Sequence, residues 1–111
     1  MTAKKKIASS PPKPVRERDV ETYLIRRVKE LNGQIRKVKW IGRCAAPDRL
    51  VLLPGRRPFL LELKAPGRKP SLAQRREMLR MTSYNMPAFW ADSYRMVDFF
   101  IDAAELPRVS P

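Results

Sequence analysis

The sequence predicts one domain of the α/β (α+β) class, a mixed β-sheet flanked by helices in the order α-β-β-β-α-β-α. Three observations carry that expectation. Apolar residues recur at helical spacing between Arg18 and Leu31, three strand-like segments then follow one another before the next helix signal, and the 111 residues contain no internal repeat. A chain of this length has room for one modest core, and three consecutive strands before a second helix favour a mixed sheet over a simple doubly wound one.

Residues 1–16 hold Lys4, Lys5, Lys6, Pro11, Pro12 and Pro14 with almost nothing to bury, the composition of a disordered basic arm. The folded domain is expected over 17–105, with 106–111 as a C-terminal tail. Val20, Leu24, Val28 and Leu31 mark the first helix, and Asn32-Gly33 supplies its stop. The two-residue alternation from Gln34 to Trp40 predicts a first strand. Pro47 then breaks the chain, and Pro54-Gly55 turns the aliphatic run Arg49 to Leu53 back into Phe59 to Lys64 as a hairpin. Ala65-Pro66-Gly67 ends that strand, and Ser71-Leu72-Ala73-Gln74 has the capping-box spacing that opens a helix to about Ser83. Ala88 to Ala91 forms a short strand after Pro87, and Ser93 caps a last helix from Tyr94 to Ala104.

Charge narrows the function. Lys and Arg number 24 against 11 acids, a formal net charge of +13. Residues 26–80 alone hold sixteen basic and four acidic groups, so the positive field belongs to the folded middle and is expected to meet a polyanion such as nucleic acid. The single Cys44 excludes an internal disulfide and a cysteine metal cluster. The absence of histidine excludes Ser-His and Cys-His nucleophile pairs. No apolar run approaches the ~20 residues that span a bilayer, so no membrane association and a cytoplasmic location are expected.

Four acids stand inside the basic stretch: Glu30, Asp48, Glu62 and Glu77. Strand alternation sets Leu60, Glu62 and Lys64 on one face, and a Glu-x-Lys pair alone is an ordinary device of solvated sheets. Pro47-Asp48 adds a second carboxylate just before the strand that pairs with that of Glu62. Two carboxylates at one sheet edge suit a hard divalent ion, which needs only one or two of them besides water and substrate oxygens. Phosphodiester hydrolysis needs an acidified water, charge neutralised on the phosphorane and a stabilised leaving oxygen, tasks an ion and Lys64 can divide.

The segments Pro47-Asp48-Arg49-Leu50-Val51-Leu52-Leu53-Pro54-Gly55 and Phe59-Leu60-Leu61-Glu62-Leu63-Lys64-Ala65-Pro66-Gly67, together with Gln74, resemble the VRR-NUC nucleases of the PD-(D/E)XK, restriction-endonuclease-like superfamily. The likeness runs from about Arg18 to Ile101. It implies a restriction-endonuclease-like fold, with Asp48 and Glu62 as metal ligands joined by the backbone carbonyl of Leu63. It further implies Lys64 as the residue that orients the attacking water, a role for Gln74, and a helix glutamate that completes the site, for which Glu21 is the better candidate and Glu17 the alternative. Mg²⁺ or Mn²⁺ as cofactor, DNA as substrate with a preference for branched or junction forms, and a homodimer are likewise implications of the resemblance. One departure is Cys44-Ala45-Ala46, where family members tend to have glycine before the Pro-Asp turn.

Arg43, Arg68, Lys69, Arg75 and Arg76 are candidates for phosphate contacts. Trp40 and Trp90 can stack on bases, but as residues in or beside strands they are assigned to the core. The competing function is a basic nucleic-acid-binding protein without catalysis, and a structural protein of a ribonucleoprotein particle ranks below it. In the former, Asp48, Glu62 and Lys64 would be a structural charge cluster, and metal dependence discriminates it from the nuclease; the latter gives no reason for acids at motif spacing within a basic stretch.

Overall fold

A computed structural model describes residues 13–104, so residues 1–12 of the expected arm and the tail 106–111 lie outside the described residues. Helix α1 (Glu17–Glu30) forms because Val20, Leu24 and Val28 make one stripe, and all three are buried. It ends in a Schellman turn, with the Asn32 N–H donating to Lys29 O at 3.0 Å and the Gly33 N–H to Val28 O at 2.9 Å. The stop divides between two residues. Asn32 takes the left-handed conformation at φ 61°. Gly33 is required by proximity, since a Cβ there would stand 2.4 Å from Leu52 O and 2.7 Å from the Leu53 side chain.

Strands β1 (Gln34–Lys37), β2 (Arg49–Leu52) and β3 (Phe59–Leu63) form an antiparallel meander, with Ile35 opposite Val51 and Val51 opposite Phe59. Pro54-Gly55 makes the expected turn: Gly55 has φ 68° and the Arg56 N–H donates to Leu53 O at 3.1 Å. β1 is shorter than the alternation Gln34 to Trp40 suggested. Val38 still donates its N–H to Asp48 O at 2.9 Å, but β2 supplies no partner beyond that point. Trp40 instead turns its indole N–H onto Pro47 O at 2.8 Å.

Helix α2 (Leu72–Ser83) crosses from β3 to β4 (Ala88–Ala91), which runs parallel to β3. The sheet order is therefore β1-β2-β3-β4, with β4 at the edge. Helix α3 (Tyr94–Ala104) follows, and Ser93 Oγ accepts the Met96 N–H at 3.2 Å as its cap.

Alternation sends the two sheet faces into separate cores. Val51, Leu53, Phe59, Leu61 and Leu63 pack with Val20, Leu24 and Val28 of α1 and Val97 and Ile101 of α3. Leu60 and Ala88 pack with Met78 of α2, flanked by Trp40, Leu50 and Trp90, so both tryptophans serve the fold. The layers are thus α1 and α3, sheet, then α2. Asp98 of α3 ties the outer layer together, accepting the Tyr23 hydroxyl at 2.7 Å and pairing with Arg27, both from α1. Among the described residues no helix is long and apolar enough to cross a membrane.

Candidate active site

The site lies at the end of the sheet where β2 begins and β3 finishes. The β2–β3 register pairs Arg49 with Leu61 and Leu50 with Leu60, so continuing it by one residue sets Asp48 opposite Glu62. Asp48 turns its carbonyl to β1, where it accepts from Val38, while Leu60 and Lys64 direct their N–H groups to Pro87 O and Ala91 O beside β4. Asp48 and Glu62 therefore form a non-hydrogen-bonded pair, the kind in which facing side chains lie closest. Asp48 is exposed and Glu62 half-buried, both on the α2 face of the sheet.

The same alternation turns the Leu63 carbonyl toward β2, where the facing residue is Pro47. Proline has no N–H, so this carbonyl lacks the donor that any other residue would give it.

Glu62 is held by two neighbours. Lys64 Nζ stands 3.5 Å from Glu62 Oε2, and Gln74 Nε2 donates to the same oxygen at 3.3 Å. Gln74 is aimed by the helix cap: its amide oxygen accepts the Ser71 N–H at 2.9 Å, and its own backbone N–H donates to Ser71 Oγ at 3.1 Å. One residue thus closes the capping box and reaches the carboxylate. Burial raises the Glu62 pKa, and the charge of Asp48 raises it further, against the charge and hydrogen bond of Lys64; Glu17 adds a smaller upward push.

These electrostatics mark a place short of positive charge. Two facing carboxylates and a backbone carbonyl that Pro47 cannot serve with an N–H are hard oxygen donors, and such a set suits a Mg²⁺-like ion that keeps waters and takes substrate oxygens. Among the described residues no cluster of three or more Asp, Glu, His or Cys side chains gathers to hold a metal.

Glu21 does not face this cluster directly. Its Oε2 receives Arg49 Nε at 2.9 Å and Nη2 at 2.5 Å, and Arg49 Nη1 contacts Asp48 Oδ1 at 2.8 Å. Sequence reasoning missed Arg49. The available signal was its parity with Val51 and Leu53, which puts a guanidinium on an apolar face where it needs acids. Also missed was Asp92, whose Oδ2 accepts the Gly67 N–H at 3.1 Å and steadies the loop after Lys64. The Ala46 departure costs nothing in the backbone, because the positive-φ residues other than glycine are Asn32 and Asn85.

The basic candidates divide. Arg43 and Arg76 line one basin between the β1–β2 loop and α2, where Arg43 also pairs with the buried Glu77 at 3.6 Å. Arg68 and Lys69 are exposed on the loop leading to α2. Arg75 stands apart, bordering an apolar groove with Met78, Leu79, Phe89, Trp90 and Phe100.

No family-wide sequence profile matches the chain. A solved structure described as "VRR_NUC domain" superposes with a TM-score of 0.70 at 34% identity, covering 79% of this chain and 96% of that one. A protein of Acyrthosiphon pisum secondary endosymbiont phage 1, named "Putative nuclease p44", is 37% identical over 79 residues, 71% of this chain and 85% of that protein. The four-stranded mixed sheet with flanking helices is the fold of a nuclease class. The chain belongs to the VRR_NUC family.

Proposed function

We propose that the protein is a metal-dependent DNA endonuclease that hydrolyses phosphodiester bonds with Mg²⁺ or Mn²⁺, selects branched or junction DNA, and acts as a homodimer. The observation that carries the reading is the facing pair Asp48 and Glu62, with Lys64 and Gln74 converging on the more buried carboxylate.

Asp48, Glu62 and the Leu63 carbonyl would hold the ion, which when bound supplies Lewis-acid activation of water and neutralises phosphate charge. The chain's own groups do the rest. Lys64 orients the attacking water and offsets negative charge as its oxygen bonds to phosphorus and the opposite P–O bond breaks. Gln74 keeps Glu62 turned toward the site. Arg43, Arg76, Arg68 and Lys69 are exposed around it and bind neighbouring phosphates. Cutting two strands symmetrically with one site per chain calls for two copies, and a C2 dimer is the simplest closed arrangement. Leu79 and Phe99, 72% and 66% exposed, offer apolar surface for such contact.

The test is cleavage of labelled single-stranded, duplex, flap and four-way-junction DNA by wild type and Glu62→Ala, each with Mg²⁺, Mn²⁺ or EDTA. Metal-dependent cutting of branched forms that the variant loses is expected. Binding without cutting in every condition would replace this reading with a non-catalytic nucleic-acid-binding protein.

A further inference from the structure

Arg49 lies on the sheet face that Val51 and Leu53 make apolar, and it is only 8% exposed. Burial opposes its charge, but the hydrogen bond it donates to Glu21 and the charges of Asp48 and Glu21 outweigh that opposition, so its pKa stands above the ordinary arginine value. The fork is used at both ends. Nε and Nη2 hold Glu21 Oε2, and Nη1 reaches round the strand to Asp48 Oδ1. A buried cation on one face of the sheet thereby fixes a carboxylate that serves the other face.

Building on the nuclease reading, we propose that Arg49 is a positioning residue and the site's built-in cation: it withdraws Glu21 from metal ligation, holds Asp48 opposite Glu62, and limits the site to one divalent ion. Charge counting supports the limit. The groups at this end of the sheet are three carboxylates, Glu21 and Asp48 paired with Arg49 and Glu62 paired with Lys64, against those two cations. They leave one net negative charge. One divalent ion turns this into one positive charge, which a bound phosphodiester neutralises. A second ion would leave three positive charges in a half-buried space and would have to share Asp48 with a guanidinium already in contact with it.

The same contacts explain why the helix acid is on α1 at position 21. Glu21 sits one turn after Glu17 and beside the buried stripe of Val20 and Leu24, which lets it meet Arg49 at the rim of the apolar layer. Glu17, exposed at the helix start, reaches Glu62 only through its long-range charge.

The experiment is calorimetric titration of Mn²⁺ into the DNA-free full chain, in wild type, Glu62→Gln, Glu21→Gln and the double variant Glu21→Gln/Arg49→Met. The double variant removes both ends of the ion pair, so neither is stranded as an uncompensated buried charge. We expect one ion per chain in wild type, binding weakened at least about tenfold in Glu62→Gln, and affinity within about threefold of wild type in Glu21→Gln. In the double variant, where Asp48 has lost its anchor, kcat should fall about tenfold or more while KM for DNA stays within about twofold. Two ions in wild type, or a tenfold weakening in Glu21→Gln, would make Glu21 a ligand and overturn the proposal while leaving the nuclease reading intact. No Mn²⁺ bound by any form would overturn both.

Discussion

The side-chain amide of Gln74 is fixed at both ends, its oxygen on the Ser71 N–H and its nitrogen on Glu62 Oε2. A helix cap and a site carboxylate therefore share one group. Gln74→Glu would keep the acceptor for Ser71 but turn a negative oxygen toward Glu62. We expect cleavage to fall about tenfold or more with little loss of stability, whereas Gln74→Ala should also cost about 0.5–1 kcal/mol of folding stability through the opened capping box. Cleavage rates and thermal melts of the two variants, side by side, separate these effects.

Glu62 gives a pH-dependent prediction. Its folded pKa is raised from the ordinary 4.5, first by burial and then by Asp48. A raised acid binds its proton more tightly when folded, so its favourable contribution is complete below 4.5 and is lost as pH rises through the folded value. Glu62→Gln, which mimics the protonated form, should melt above wild type at pH 7 in EDTA. The difference should vanish near pH 4. Equal melting temperatures at both pH values would contradict the raised pKa.

Asp48→Ala and Lys64→Ala should fail differently. On the proposed mechanism the first removes a metal ligand and a negative charge, so cleavage should be abolished while DNA binding is kept or strengthened. The second should still take up the ion yet cleave at least about a hundredfold more slowly, because the role proposed for the lysine is on the transition state. DNA affinity by fluorescence anisotropy and Mn²⁺ uptake, read alongside rates, distinguish the two.

Gly33 is a packing position. A methyl group there would meet Leu52 O at 2.4 Å, and that atom belongs to backbone in β2. Gly33→Ala should destabilise the fold by about 1–3 kcal/mol. Asn32→Gly should be tolerated, since Asn32 already carries the left-handed turn at φ 61°. Urea titrations of both variants provide the comparison.

Much of this site could be read from residue order because it is built from short-range rules. Alternation placed Glu62 and Lys64 on one face, the Pro54-Gly55 turn set the register, and a two-residue period brought Asp48 to the facing position. Helices α2 and α3 followed Ser71 and Ser93, whose caps are local chemistry. What could not be read depends on partners distant in sequence. Strand β1 stops at Lys37 because of where β2 begins and where Trp40 finds an acceptor. Glu21 was legible as a helix acid, but its commitment to Arg49 spans 28 positions and follows only from the packing of α1 on the sheet. The basic residues looked equivalent in sequence, and α2 separates Arg75 from Arg76 because adjacent helix positions point in different directions.

Pro47 has a consequence that reaches beyond the loop it closes. An amide hydrogen at this position would let β2 grow backwards along β3 and satisfy Leu63, a gain of about 1 kcal/mol for the fold. The chain forgoes that bond, and the Leu63 oxygen beside the two carboxylates receives no N–H from position 47. Pro47→Ala would therefore trade reactivity for order: a longer, quieter strand in place of a third donor.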